Sequence, residues 1–200
     1  MELTISDKNI GKEVVGYILC RYLSQKAKEE VAKVQKIISD NFGDDVWLSP
    51  LDTLHVTLMD WLAPFVDYEQ DKDALFGDIF DQYDKAIGVS VSNRGTIDVS
   101  FNKIVVTDSA VILVGDDGGV FNDIRRDFLE SVELIANTKR PPQIVHSTIC
   151  RFVKELPIAE VESALEDVKI RFNENVNSFD LVRATKSPML DFSIMKTYDL

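Results

Sequence analysis

Hydrophobic and polar positions along the chain switch repeatedly between a period of two and a period near 3.6. β-Branched and aromatic residues run together over 14–20, the mark of a buried strand. Ala27, Val31, Val34, Ile37 and Ile38 then recur at helical spacing after Ser24, a residue suited to an N-cap, and Asn41-Phe42-Gly43 ends the pattern. Past Trp47 and Pro50 the chain reads as a strand over 53–58, with His55 and Thr57 on one face and Val56 and Leu58 on the other. A helix is predicted over 71–86, its stripe Leu75, Ile79, Phe80 and Tyr83, closed by Gly88. Three strands near 89–99, 101–107 and 110–114, with Asn93-Arg94-Gly95 and Asp108-Ser109 as turns, read as a meander. After the break at 116–119 come a helix over 120–136, a loop over 137–142 and a strand over 143–153. Pro157 opens a helix through about residue 172, and strands over 179–184 and 191–198 are joined through Lys186-Ser187-Pro188.

The 200 residues suffice for one domain, or two packed lobes, with a sizeable core. No apolar run is long enough to span a bilayer, and the first residues lack a basic segment followed by an apolar one, which predicts a cytoplasmic protein. Cys20 and Cys150 read as small buried residues with reduced thiols. The net charge of −12 disfavours a surface for long duplex nucleic acid, which is held mainly by Lys and Arg. It leaves room for a small phosphorylated ligand, neutralised locally by basic groups such as Arg151, Arg183 and Lys186.

The chain has only two histidines, and both fall in one pattern: His55-Val56-Thr57-Leu58 and His146-Ser147-Thr148-Ile149. Each half of the chain carries a helix, a loop and then a His-x-Thr strand. This echo predicts an α+β fold of two pseudo-symmetric lobes, each an antiparallel sheet with helices packed outside, around a central groove where the histidines meet. Cleaving a phosphodiester near neutral pH needs one group to take a proton and another to give one, which suits two imidazoles. A Thr two residues along a strand projects from the same face roughly 6 to 7 Å away, so its hydroxyl can donate to a phosphate oxygen. By strand parity Cys150 joins the face of His146 and Thr148, while Arg151 falls on the opposite face unless a bulge intervenes. Cys150 is read as a packing residue, because no third histidine is free to activate it. Trp61, Phe65, Tyr17 and Tyr198 are read as core or pocket wall.

These residues resemble the 2H phosphoesterase superfamily, the group related to RNA 2′-5′ ligases and cyclic phosphodiesterases. The likeness spans most of the chain. Pro50 to Leu58, with Trp47 upstream, resembles the segment in which a proline precedes a Leu-His-x-Thr-Leu strand, and Arg151 follows the second motif as an arginine often does. The 91-residue separation of His55 and His146 and the last two strands also fit. Met59-Asp60-Trp61-Leu62 departs from the common Phe-Leu-Gly ending, and the acidic charge departs from members dedicated to transfer RNA. The resemblance implies that His55 and His146 are acid and base, that Thr57, Thr148 and Arg151 hold phosphate, and that neither metal nor cofactor takes part. The implied substrates are a cyclic nucleotide, a short oligonucleotide or an RNA terminus. A groove formed within one chain predicts a monomer. Three functions stay open: a phosphodiesterase acting on 2′,3′-cyclic phosphates, 2′-5′ linkages or RNA 3′ ends; a non-catalytic module binding phosphorylated ligands or RNA; and an interaction protein with structural motif strands.

Overall fold

A computed structural model describes residues 2–138 and 140–200; Met1 and Lys139, the latter within the loop expected over 137–142, lie outside the described residues. The apolar run over 14–20 is the centre of β1 (Glu13–Tyr22), followed by α1 (Gln25–Phe42), whose Ser24 hydroxyl accepts the Ala27 N–H at 3.3 Å as an N-cap. The chain continues through β2 (Val46–Leu48), β3 (His55–Leu62), α2 (Lys72–Val91), β4 (Ile97–Val106), β5 (Ala110–Asp116) and α3 (Val120–Ser131). It ends with β6 (Val145–Phe152), α4 (Ile158–Leu165), β7 (Phe172–Val176), β8 (Ser178–Lys186) and β9 (Asp191–Asp199).

The strands form two antiparallel sheets, ordered β3-β1-β8-β9 and β2-β6-β5-β4-β7. The halves echo each other: β1-α1-β3 in the first sheet corresponds to β5-α3-β6 in the second, each motif strand pairing with the strand before its helix. The helices cross over. Helix α1, which leaves the first sheet, packs with α4 on strands of the second, while α3, which leaves the second, packs with α2 against β3. One hydrophobic cluster includes Leu19, Trp61 and Leu181 of the first sheet and Val111, Ile149 and Phe101 of the second. A smaller cluster of Ile18, Cys20, Val182, Ala184 and Met189, with Tyr22 and Phe192 against it, gives the first sheet a second apolar face.

Several elements differ from expectation. Residues 89–91, read as strand, are the last turn of α2, because Ala86, Ile87, Ser90 and Val91 prolong its buried stripe past Gly88. The Ser90 hydroxyl is satisfied within the helix by the Ala86 carbonyl at 2.8 Å. The expected strands 89–99 and 101–107 are one strand, β4, with a register shift between Phe101 and Lys103. Helix α3 stops at Ser131, where Val132 turns extended (φ −137°, ψ 148°). Helix α4 ends at Leu165; residues 166–171, read as helix, are turn and irregular chain, and Phe172 starts β7. Strand β7 escapes a hydropathy reading because one inward position is Glu174, whose carboxylate accepts the Ser24 N–H at 3.1 Å and hydroxyl at 2.5 Å at the start of α1. Negative charge is favourable at that helix end.

Candidate active site at the junction of the two sheets

Strands β3 and β6 pack side by side where the two sheets meet. Each alternates normally through its motif, presenting His55 and Thr57, or His146 and Thr148, outward from the core. Each then breaks alternation at the fourth motif residue. In β3 the partners step from Thr57↔Cys20 to Met59↔Leu19, leaving Leu58 unpaired; in β6 they step from Thr148↔Ile112 to Cys150↔Val111, leaving Ile149 unpaired. These are β-bulges, in which two consecutive residues share one face. Leu58 with Met59, and Ile149 with Cys150, are accordingly all within the core.

The second bulge corrects both parity readings. Cys150 does not share the face of His146 and Thr148, because the extra residue turns it inward; Arg151 does share it, and faces the groove. The Cys20 and Cys150 thiols are free, and burial pushes each up to about 12, so neither is a ready thiolate.

His55, Thr57, His146, Thr148 and Arg151 surround one cavity of about 130 Å³, which Ser49, Thr53 and Pro188 complete. His55, Arg151 and Pro188 also line a larger space of about 530 Å³, walled by Ile18, Asp60, Phe65, Ala184 and Met189 and by the N-terminal residues 5–9. His55 Nδ1 lies 2.7 Å from the Thr53 carbonyl; in the neutral ring this makes Nδ1 the donor and leaves Nε2 as the acceptor. His146 repeats the relation loosely. The Ile144 carbonyl, again two residues back, favours its protonated form, yet His146 Nδ1 is buried with no hydrogen-bond partner of ordinary geometry.

Both imidazoles lie below the usual histidine value of 6.5, chiefly because burial penalises the cation. The Thr53 and Ile144 carbonyls oppose this, while Arg151 adds to it in both rings, His146 in the case of His55 and Arg125 in the case of His146. Arg151 Nη1 pairs with Asp7 at 3.1 Å, and its Nε is buried without a hydrogen-bond partner. Arg183 and Lys186 belong elsewhere. They line a separate depression, and Arg183 forms a two-pronged pair with Asp73 (2.8 and 2.6 Å), whose carboxylate also accepts the Tyr17 hydroxyl at 2.5 Å.

Sequence reasoning missed Asp7, Ser49 and Pro188, which carry no motif, and Tyr22. Tyr22 sits opposite His55 in the β1–β3 register, meets its imidazole edge-on at 6.1 Å and stacks on Phe192 at 5.1 Å, walling one side of the ring. Tyr17, Trp61 and Tyr198 are buried, whereas Phe65 is exposed on the cavity rim. Among the described residues no three His, Cys, Asp or Glu side chains cluster closely enough to hold a metal ion, and no helix is long and apolar enough to cross a membrane.

Two antiparallel sheets with helices packed on them form an α+β fold shared, over most of the chain, with solved structures that include a phosphoesterase. Among solved structures, TT0787 of Thermus thermophilus is similar with a TM-score of 0.64 at 14% identity, over 92% of this chain and 97% of that one. E. coli LigT without ligand is similar with a TM-score of 0.60 at 13% identity, over 94% and 99% of the two chains. The MHV ns2 PDE domain is similar with a TM-score of 0.56 at 14% identity, over 86% and 99%. No protein-family profile and no curated sequence matches the chain.

Proposed function

We propose that the protein is a 2H-type phosphodiesterase that hydrolyses 2′,3′-cyclic phosphates of nucleotides or short RNA ends without a metal. The observation that carries this reading is the meeting of two imidazoles, two threonine side chains and one arginine around a single 130 Å³ cavity, about the size of one phosphate group with its immediate neighbours. One neutral imidazole accepts a proton from water as the water oxygen bonds to phosphorus. The other, protonated, gives its proton to the 3′ oxygen as the bond from phosphorus to that oxygen breaks, leaving a 2′-phosphate. The threonine hydroxyls and the Arg151 guanidinium donate to the non-bridging oxygens, where negative charge builds. The adjoining 530 Å³ cavity has room for the nucleoside. Support comes also from LigT, whose structures include complexes with 3′-AMP and with phosphate. Cleavage of 2′-5′ linkages or trimming of RNA 3′ ends would use the same groups on another bond. The reading includes a monomer acting in the cytoplasm, with no long duplex as substrate.

The test is turnover of 2′,3′-cyclic mononucleotides and of 2′-5′ and 3′-5′ dinucleotides in excess chelator. Cleavage that persists in chelator supports the proposal and names the bond. A folded protein that cleaves none of them but binds nucleoside monophosphates would be a binding module.

The depressed imidazoles set the expected pH dependence. The productive free enzyme carries one proton between the two rings, a state populated between the two apparent pKa values of the pair. Both lie below 6.5, so kcat/KM is expected to peak on the acid side of that value and to fall as pH rises and the acid loses its proton. A bound phosphate anion favours the protonated rings, so kcat is expected to peak at higher pH than kcat/KM. A kcat/KM profile still rising above about pH 8 would contradict two depressed histidines as acid and base.

A further inference from the structure

The two bulges are each held from across the molecule. Arg125 of α3 donates through Nε to the Leu58 carbonyl at 2.7 Å and through Nη2 to the Thr57 carbonyl at 3.0 Å. Gln35 of α1 donates through Nε2 to the Ile149 carbonyl at 2.8 Å and to the Ser49 carbonyl at 2.7 Å, and the Ser49 N–H bonds the same Ile149 carbonyl at 3.0 Å. The residue left unpaired at the end of each motif is thus gripped by a helix that comes from the other half of the chain; the second register shift of β3, at Trp61, is not part of this arrangement. Arg125 and Gln35 are only 4% and 6% exposed, and each interrupts an otherwise apolar stripe, Phe121-Ile124-Phe128 in one helix and Val31-Val34-Ile38 in the other. Polar side chains at such positions are rare unless bonded, and here every bond named runs to backbone at or beside a bulge, or for Arg125 Nη1 to Asn122 Oδ1 at 2.9 Å.

A bulge takes its local carbonyls out of the regular ladder, and a buried carbonyl is costly to leave short of donors; the Ile149 carbonyl keeps the Ser49 N–H, and Gln35 ties it in addition to the Ser49 carbonyl. Remove the grip and the ladder can regain ordinary alternation by turning the residues beyond the bulge over. In β6 that would exchange the faces of Cys150 and Arg151; in β3 it would exchange those of Met59 and Asp60. We propose that Gln35 and Arg125 are positioning residues: each locks the bulge of the opposite motif strand, and the locked bulges put Arg151 and Asp60, rather than Cys150 and Met59, on the groove. The inference rests on the reading of the groove as a phosphodiester site only for its effect on activity.

Native-state labelling with peptide mapping tests it directly. In the wild type Cys20, Cys150 and Met59 are all buried. In Gln35→Met, iodoacetamide is expected to modify Cys150 at least about tenfold faster than in the wild type while Cys20 stays protected; in Arg125→Lys, peroxide is expected to oxidise Met59 faster by a similar factor, as the loss of a hydrogen bond to a buried carbonyl would allow. On the preferred cyclic nucleotide, Gln35→Met is expected to raise KM about tenfold, and to add little when combined with Arg151→Met, because both act on one contact. Should Gln35→Met fail to fold, Gln35→Leu, which likewise removes the donor, serves for the same labelling and the same cycle. Cys20 and Cys150 becoming reactive together would reveal general loosening, and unchanged labelling would show that the bulges stand without these residues; either overturns the inference. Additive effects of Gln35→Met and Arg151→Met on KM would overturn it too. If the wild type cleaves nothing, the labelling still decides the positioning, and what fails is the proposed function.

Discussion

Replacing His55 or His146 with alanine is expected to lower kcat/KM on the preferred cyclic nucleotide by about 10²- to 10⁴-fold, the usual range for a positioned acid or base. The two roles belong to one proton-transfer cycle, so the double variant is expected to be little worse than the poorer single variant. Both side chains lie on the groove face of their strands, outside the hydrophobic clusters, and their removal opens no hole in the core. The variants are therefore expected to keep the wild-type circular dichroism spectrum and urea midpoint, and in the absence of ligand they lose a buried imidazole that resists protonation. The sign of that last effect is fixed. A histidine depressed in the folded state is charged more readily when unfolded, so the wild type loses stability as pH falls below 6.5, and the double variant is expected to lose less. A single alanine variant with wild-type turnover would remove that histidine from the chemistry.

Trp61→Ala is expected to produce the largest loss of stability of any substitution near the site, about 3–5 kcal/mol, the cost typical of deleting a fully buried large aromatic side chain. Trp61 lies one residue beyond Asp60 on the motif strand and is fully buried. It ties that strand to two helices: its ring centroid lies 6.1 Å from Phe76, 6.4 Å from Phe80 and 5.4 Å from Tyr83 in α2, and 6.5 Å from Phe128 in α3. Its indole N–H is buried without a hydrogen-bond partner, so Trp61→Phe, which removes that donor along with some volume, is expected to be milder than size alone would suggest. Urea titration would read both as midpoint shifts at constant slope. A loss under about 1 kcal/mol for Trp61→Ala would mean that the aromatic cluster does not hold β3 to its helices.

The juxtaposition of the two motif strands was the legible part of this molecule. Two sparse histidines, each followed two residues later by threonine within a strand-like run, imply a paired site because a strand projects alternate residues to one side. Ser24, the helical stripe after it and the strand rich in β-branched residues before it were equally plain, since each depends on interactions a few residues apart. What failed to show were features decided by distant partners. Strand β7 hides behind Glu174, an inward carboxylate that makes sense only once the start of α1 lies over it. Residues 89–91 have the composition of a strand and are helical because their side chains meet a core.

Arg151 marks the boundary most clearly. The family resemblance brought it forward as a phosphate ligand, while counting along an ideal strand sent it to the other face. By itself, then, the sequence determined the residue types available for proton transfer, the periodicities of most elements and the internal echo of two halves, all of which follow from local stereochemistry and composition. Which residues beyond the motifs reach the groove was decided only by the tertiary structure. The bulges at Leu58 and Ile149 lie in strand pairings and are gripped by Arg125 and Gln35 from far along the chain, and no pattern local to a strand records a carbonyl that a remote side chain will satisfy.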